Sequence, residues 1–240
     1  MSTFVLVHGG WHGAWCWARV VPLLQGEGHE VVVPALTGLG ERAHLATPEV
    51  DVSTHVRELV DLLETSDASD VVLVGHSYSG VVVTAVAAAL PKRVSDVVLL
   101  DAFVPEEGRS IFDLLPPARV AVFEDAAREH GKGWSVPLPW ERAIAGWGVT
   151  DPDDVAWMTP LLTPQPLATF HERAGAWATR PAVRRTFVHC LDKPAGDSFA
   201  GVATRAASDP DWRCLTLDTG HDAMIIAPAA TAAALLSVIA

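Results

Sequence analysis

Short apolar runs, many of them β-branched, alternate with segments of helical periodicity over the first 101 residues. The runs at residues 4–7, 29–33, 71–74 and 94–100 predict strands, and their nearly continuous apolar character is typical of strands buried on both faces of a parallel sheet. Apolar residues at helical spacing follow Ser53, the predicted N-cap, and predict one helix. Residues 81–90, which are stopped by Pro91, predict a second. This order predicts an α/β fold with right-handed crossovers and a doubly wound, mostly parallel sheet.

The pattern changes after residue 103, where the chain becomes rich in proline. Strand-like alternation returns at residues 185–191 and 212–217. We therefore predict a helical cap, residues 104–181, inserted between two core segments, residues 1–103 and 182–240. The cap holds five of the nine tryptophans, and we expect at least two of the five to be structural while others lie over a pocket: Trp134, Trp140, Trp147, Trp157 and Trp177.

Composition narrows the class of protein. Half of the 240 residues are hydrophobic and 19% are charged, which indicates a large buried core and excludes intrinsic disorder. A formal net charge of -12 disfavours nucleic-acid binding. The three cysteines (Cys16, Cys190 and Cys214) form no CxxC pair, so neither a disulfide framework nor a zinc knuckle is predicted, and a cytoplasmic location is the simplest expectation. The uncharged segment 223–240 is alanine-rich and holds Pro228, which favours a packed final helix over a membrane span.

The stretch Val71-Val72-Leu73-Val74-Gly75-His76-Ser77-Tyr78-Ser79-Gly80 predicts a buried strand, a sharp turn and a helix. A nucleophile elbow needs this context, with small residues two before and two after the nucleophile. Gly75 and Ser79 meet that requirement, although a glycine is usual where Ser79 stands. Ser77 is therefore the predicted nucleophile.

A serine nucleophile needs a base and an acid, which α/β-hydrolase chains supply in the order Ser, Asp or Glu, His. His221 follows the last predicted strand and precedes the last helix, which makes it the predicted base. Asp192 is the favoured acid because the loop after the later strand is nearer to His221 along the chain. Asp101 remains an alternative, and Asp197 is a weaker one.

The first loop, His8-Gly9-Gly10-Trp11-His12-Gly13, supplies the predicted oxyanion hole. Acyl transfer needs two backbone N–H donors, and those of Gly10 and Tyr78 are the candidates. No cofactor is predicted: the G-x-G-x-x-A match at residues 38–43 is followed by Pro48, which leaves no room for the long helix that a dinucleotide site requires. No metal is predicted either, because no residues show ligand spacing.

With these residues assembled, the chain resembles the α/β-hydrolase superfamily, and more narrowly the branch of plant methyl esterases, hydroxynitrile lyases and small bacterial esterases. The resemblance runs through residues 4–15, 74–78, 101–105 and 220–224, and it implies a triad of Ser77, Asp192 and His221. In that branch the acid lies in a Cys-x-x-Asp-Lys-like segment, and Cys190-Leu191-Asp192-Lys193 is one residue shorter.

The resemblance also orders the candidate activities. Lyases of that branch carry threonine in place of Gly10 and lysine in place of Asp222, so hydrolysis of a small neutral aryl, methyl or short-chain ester through an acyl-enzyme on Ser77 is preferred. The alternatives are a lyase or other cofactor-free enzyme on the same scaffold, and a small-molecule receptor or carrier with vestigial turnover. The expected partner is a small ester, with neither nucleic acid nor membrane, and a homodimer is compatible with the sequence.

Overall fold

A six-stranded, wholly parallel sheet forms the centre of the molecule in a computed structural model, which describes residues 1–175, 183–194 and 196–239. The strand order is β2-β1-β3-β4-β7-β8. The central strands are almost fully buried, which explains their continuous apolar sequence. The predicted α/β class with a parallel sheet is confirmed. The strands of this sheet are β1 (Thr3–Val7), β2 (Glu30–Val32), β3 (Val71–His76), β4 (Val94–Leu100), β7 (Arg184–Cys190) and β8 (Trp212–Leu217).

The strand order reverses direction at β1, and this reversal positions the site. The chain runs from β1 outward to β2 and then returns to place β3 on the other side of β1. In open parallel sheets a crevice forms at such a switch point, beyond the carboxyl ends of the strands. The loops after β1 and β3, which carry Gly10 and Ser77, therefore meet at one edge of the sheet.

Helices join the strands and pack in pairs, α1 against α11 and α2 against α3. The α2 helix begins one residue before the predicted cap: Asp51, rather than Ser53, is the N-cap and accepts a hydrogen bond from the Thr54 N–H at 2.7 Å. Ser53 lies inside the helix and hydrogen-bonds Glu172. The core helices are α1 (Val21–Gly26), α2 (Val52–Thr65), α3 (Ser79–Ala89), α9 (Ala200–Ser208), α10 (Ala223–Ile226) and α11 (Pro228–Leu236), with 3₁₀ turns at Ala14–Trp17 and Gly40–Leu45.

The chain between β4 and β7 leaves the sheet and forms a separate group of short elements. They are α4 (Ile111–Leu114), α5 (Pro117–His130), α6 (Trp140–Gly146), α7 (Pro152–Met158) and α8 (Ala168–His171), a 3₁₀ turn at Thr159–Leu161, and the antiparallel strand pair β5 (Ser135–Val136) and β6 (Gln165–Pro166). The predicted insertion, residues 104–181, falls in this part of the chain, and its end at residue 181, like Trp177, lies outside the described residues.

The uncharged C-terminal segment forms two short helices rather than one. Three of the four residues of α10, Ala223, Met224 and Ile225, are fully buried, and Pro228 begins α11 after a break at Ala227. None of the helices in the described part of the chain is both long and apolar enough to span a membrane.

Candidate active site

Ser77 occupies a strained turn between β3 and α3. Its φ of +52° lies in the left-handed region that non-glycine residues rarely adopt. The turn is fixed by the end of β4, because the Ser77 N–H donates to the Leu100 carbonyl (3.2 Å) and the Ser77 carbonyl accepts from the Phe103 N–H (3.0 Å). The backbone thus holds the serine at the carboxyl edge of the sheet.

Small neighbours make this turn possible. A Cβ on Gly75 would lie 2.6 Å from a methyl of Val83, and a Cβ on Gly80 would collide with the Phe103 carbonyl oxygen. Ser79 is tolerated in place of the usual glycine because its buried hydroxyl lies 2.9 Å from each of two backbone carbonyl oxygens, those of Val7 and His76. The departure from the common motif therefore has a local explanation.

His221 lies on the loop after β8, and three hydrogen bonds and one ring contact fix its position. Its Nδ1–H donates to Asp101 Oδ2 at 2.6 Å, its N–H donates to the Trp147 carbonyl at 2.7 Å, and its own carbonyl accepts from His76 at 3.1 Å. The Phe199 ring stacks on the imidazole at 5.4 Å and 10°. Since Nδ1 is engaged as a donor, Nε2 is the nitrogen left to accept a proton.

The structure brings Asp101, not Asp192, to His221. Asp101 directly follows β4 with a φ of +45°, is fully buried, and accepts at Oδ1 from the Cys190 N–H (3.2 Å) as well as from Lys193. Asp192 is exposed, and its N–H binds the Thr219 carbonyl as an extension of the β7–β8 ladder. The predicted contact between Asp192 and His221 is corrected to Asp101, the alternative weighed above.

The other acid named from the sequence also lies elsewhere. Asp197 binds His189 and Lys193, each at 2.6 Å. These contacts and a hydrogen bond from the Phe199 N–H hold the pKa of Asp197 down to about 2, against a burial that would raise it. Asp197 therefore lies one step removed from His221, on the far side of Lys193.

The glycine-rich loop after β1 approaches Ser77 closely. A Cβ on Gly9 would lie 3.1 Å from the Ser77 Cβ, and one on Gly10 would lie 3.6 Å from the Tyr78 Cβ. The Trp11 N–H is taken by the buried Gln165 side chain at 3.1 Å. Within the described residues no acceptor engages the N–H of Gly10 or Tyr78, so both are available to a ligand.

Tyr78 is anchored by a histidine that the sequence did not single out. Its hydroxyl lies 2.8 Å from His55 Nδ1, and His55 Nε2 lies 2.8 Å from the Thr37 carbonyl. A carbonyl only accepts, so Nε2 carries the proton and the tyrosine hydroxyl donates to Nδ1. Burial lowers the pKa of His55, which agrees with a neutral ring. Buried polar pairs of this kind leave no signal in sequence spacing.

A second buried pair of charged side chains, His12 and Asp222, lies next to His221. His12 places Nδ1 at 2.8 Å from the Gly10 carbonyl and Nε2 at 3.3 Å from Asp222 Oδ2. Both partners only accept, so His12 is an imidazolium. Burial alone would lower the pKa of His12, but the charge of Asp222 raises it above the usual value, while the pKa of Asp222 is lowered in turn. The pair fixes the loop that carries Gly10.

Among the described residues, three side chains of this site form the group that most resembles a metal-binding arrangement. His76, His221 and Asp222 present ligand atoms within 4.8 Å of one another. Each already has a hydrogen-bond partner within the protein: His76 Nε2 binds a carbonyl, His221 Nδ1 binds Asp101, and Asp222 Oδ2 binds His12. Burial, then the neighbouring His221, keeps the pKa of His76 well below its usual value. We assign no metal to this group.

A cavity of about 510 Å³ opens above Ser77 and His221. Core loops and the insertion both line it, and Trp147 is the only one of the five predicted cap tryptophans among the described lining residues. Trp157 instead packs on Trp15 at 5.4 Å, as expected of a structural tryptophan. Trp11, in the first loop, also lines the cavity, a role that its side chain was not predicted to have. The tryptophan, tyrosine and phenylalanine residues of the described wall are Trp11, Tyr78, Phe103, Phe123, Trp147, Phe170 and Phe199.

Fold and site together define the class of protein: an α/β fold that presents a serine at a strand-to-helix elbow, with a histidine–aspartate pair at the same cavity. The Alpha/beta hydrolase family matches residues 4–234. The chain belongs to this family, as its resemblance predicted.

Individual relatives are consistent with that assignment. A carbendazim hydrolyzing esterase from Nocardioides sp. (strain SG-4G) is 36% identical over 236 residues, which cover 95% of this chain and 96% of that protein. Methylesterase 1 of Arabidopsis thaliana is 38% identical over 109 residues, 45% of this chain and 41% of that one. The structure of an extracellular alpha/beta-hydrolase from a Paenibacillus species aligns with a TM-score of 0.87 at 22% identity, over 99% of this chain and 98% of that one.

Proposed function

We propose that the protein is a carboxylic ester hydrolase that cleaves small neutral esters through an acyl-enzyme on Ser77. The observation that carries the proposal is the 2.6 Å hydrogen bond from His221 Nδ1 to the buried Asp101, on a ring that borders the same cavity as Ser77. This bond leaves Nε2 as the acceptor for the serine proton, which is what a general base requires.

The reaction follows in two halves. Ser77 Oγ attacks the ester carbonyl while His221 Nε2 takes its proton, and the N–H groups of Gly10 and Tyr78 stabilise the oxyanion. The imidazolium, stabilised by Asp101, then protonates the leaving alcohol, and an acyl-enzyme remains. A water that His221 deprotonates attacks the acyl carbonyl, the bond to Ser77 Oγ breaks as His221 returns the proton to that oxygen, and the carboxylic acid is released.

The cavity wall supports the choice of substrate. Its aromatic side chains suit an aryl or short alkyl group, since burial contributes about 25 cal/mol per Å² of apolar surface. The cavity of about 510 Å³ is of the size that takes a small ligand. Relatives named for hydrolysis of carbendazim and of methyl esters support the same class of substrate.

Cyanohydrin cleavage is the competing reaction on this scaffold, and an Arabidopsis thaliana alpha-hydroxynitrile lyase is 36% identical over 106 residues. In lyases of the branch that this chain resembles, a lysine characteristically follows the histidine and holds cyanide. Asp222 occupies this place, fully buried and paired with His12, and would repel the anion. Hydrolysis is therefore the better-supported reaction.

A serine-directed aryl phosphonate tests the nucleophile. We expect one adduct per chain, at Ser77, while Ser198, which borders the same cavity, stays unmodified. Ser77→Ala should abolish turnover of aryl, methyl and lactone esters, whereas Ser208→Ala, on the exposed face of α9, should retain it. Labelling at another serine, full activity of Ser77→Ala, or turnover of a cyanohydrin alone would each overturn the proposal.

A cytoplasmic location belongs to the same proposal. Cys16, Cys190 and Cys214 are all free thiols. Free thiols persist most readily in a reducing compartment. Fractionation of the native host, with thiol titration of the recovered protein, tests this assignment.

A further inference from the structure

Lys193 is enclosed beside the histidine–aspartate pair, although it borders the cavity. Its ammonium lies 2.7 Å from Asp101 Oδ1 and 2.6 Å from Asp197 Oδ1, and only 5% of its side chain is exposed. A lysine normally keeps its charge in water, so a lysine held between two carboxylates is ordered at an entropic cost. Nothing in the reaction described above uses this group.

We propose that Lys193 is a positioning residue for Asp101, which sets the orientation of that carboxylate and its charge toward His221. The inference rests on the proposed role of Asp101 as the acid. Lys193 and the Cys190 N–H both donate to Oδ1, so Oδ2 is left to His221. Without the ammonium, the Asp101 carboxylate could rotate, and Oδ2 would no longer be reserved for His221.

Charge supplies the second part of the argument. Asp101 is fully buried, and a buried carboxylate is costly unless a cation or several donors compensate it. His221 is neutral before it takes the serine proton, so Lys193 is the cation in contact with Asp101 in the resting enzyme. Lys193 also limits how strongly Asp101 stabilises protonated His221, because the ammonium repels the positive charge of the imidazolium.

An aromatic contact adds a second route from Lys193 to His221. The ammonium lies 5.2 Å from the centre of the Phe199 ring, and that ring stacks on the imidazole. Asp197 accepts from the Phe199 N–H at 2.8 Å and so ties the same segment to the lysine. The lysine thus supports both the edge of the imidazole that faces Asp101 and the face that meets Phe199.

Steady-state kinetics of Lys193→Met, on a neutral aryl ester across pH, test the proposal. We expect kcat to fall roughly 10- to 100-fold with KM little changed, the effect of losing one charge-assisted hydrogen bond in the reacting state. The acid limb of the kcat/KM profile should move to higher pH, because protonated His221 no longer faces a second cation. Among the described residues, the ionisable groups Asp101, His76, His12 and Asp222 around His221 all remain in this variant, while Asp101 and Asp197 both lose the ammonium.

Lys193→Ala provides the matched rescue experiment. A small alkylammonium ion added to the solution should restore part of its kcat, whereas the same ion should leave Lys92→Ala, at an exposed lysine, at the wild-type rate. Phosphonate titration of Ser77 counts the folded sites in each variant. Wild-type kcat in Lys193→Met, or a fall in kcat with an unmoved acid limb and no rescue, overturns the proposal. A parallel Asp101→Asn variant with full activity would instead refute the acid itself.

Discussion

Replacing Asp101 by asparagine gives the sharpest test of the site, because the surrounding donors dictate how the amide must sit. The Cys190 N–H and the Lys193 ammonium both point at Oδ1. Both can only donate, so the amide oxygen must face them and the amide NH₂ must face His221. The ring would then accept at Nδ1 and carry its proton on Nε2, which is the wrong tautomer for a base toward Ser77.

The expected loss follows from this inversion. Trapping the histidine in the wrong tautomer costs about 10⁴ in kcat in well-studied serine hydrolases. That factor corresponds to about 5.5 kcal/mol of lost transition-state stabilisation. Size and packing are almost unchanged in Asp101→Asn, so KM for a neutral aryl ester and the yield of folded protein should stay near wild type.

Asp192→Asn is the matched control, since it makes the same chemical change on an exposed carboxylate. We expect its kcat to stay within about twofold of wild type, as for most surface substitutions. Both variants are assayed on one aryl ester, with rates divided by the number of phosphonate-reactive sites. A large loss in Asp192→Asn together with near-normal turnover in Asp101→Asn would refute the reasoning and restore the acid to the loop after β7.

Three further predictions concern the supports of the site. Gly75→Ala should destabilise the fold by about 1–3 kcal/mol in urea unfolding, because its Cβ would lie 2.6 Å from a side-chain methyl of α3; unchanged stability would contradict the close approach. Asp222→Asn removes the group that raises the pKa of His12 in the folded protein. The stabilisation that this raised pKa gives is complete below the ordinary histidine pKa of about 6.5 and is lost as the pH rises through the folded value. The substitution should therefore lower the free energy of unfolding more at pH 5 than at pH 8. An equal loss at both pH values would contradict the ion pair. Tyr78→Phe should cost about 1 kcal/mol of stability by leaving His55 Nδ1 buried without a donor, and unchanged thermal unfolding would argue against that bond.

The sequence predicted the sheet and the sharp turn at Ser77 well because both depend on local pattern. Buried parallel strands have a continuous apolar signature, and the elbow at Ser77 needs small neighbours at fixed spacing. The identity of the acid depends instead on the directions in which two turns point their aspartate side chains. Asp101 and Asp192 both follow a strand and both satisfy the expected chain order, so spacing alone could not separate them. The left-handed turn at Asp101 and the continued ladder at Asp192 decide between them, and neither is visible in the sequence.

The protonation states of the buried histidines are also not visible in the sequence. His8 donates from Nδ1 to the Gly9 carbonyl and accepts at Nε2 from the Leu36 N–H, so it is neutral, and burial lowers its pKa to about 3. His12 donates from both nitrogens and is charged. Neither ring has a nitrogen free to accept a proton from substrate or serine.

His221 differs in the one respect that matters for catalysis. A carboxylate holds its Nδ1 proton, and its ring borders the cavity with Nε2 uncommitted. Chain order selected the same residue, because the loop after the last strand returns to the carboxyl edge of the sheet. Chain order also excludes His8 and His12, which precede Ser77, but it gives no physical reason why these two rings, on the loop beside Ser77, could not act as the base. That reason lies in their hydrogen-bond partners: a base must keep one nitrogen free, and only the surrounding donors and acceptors decide which histidine does.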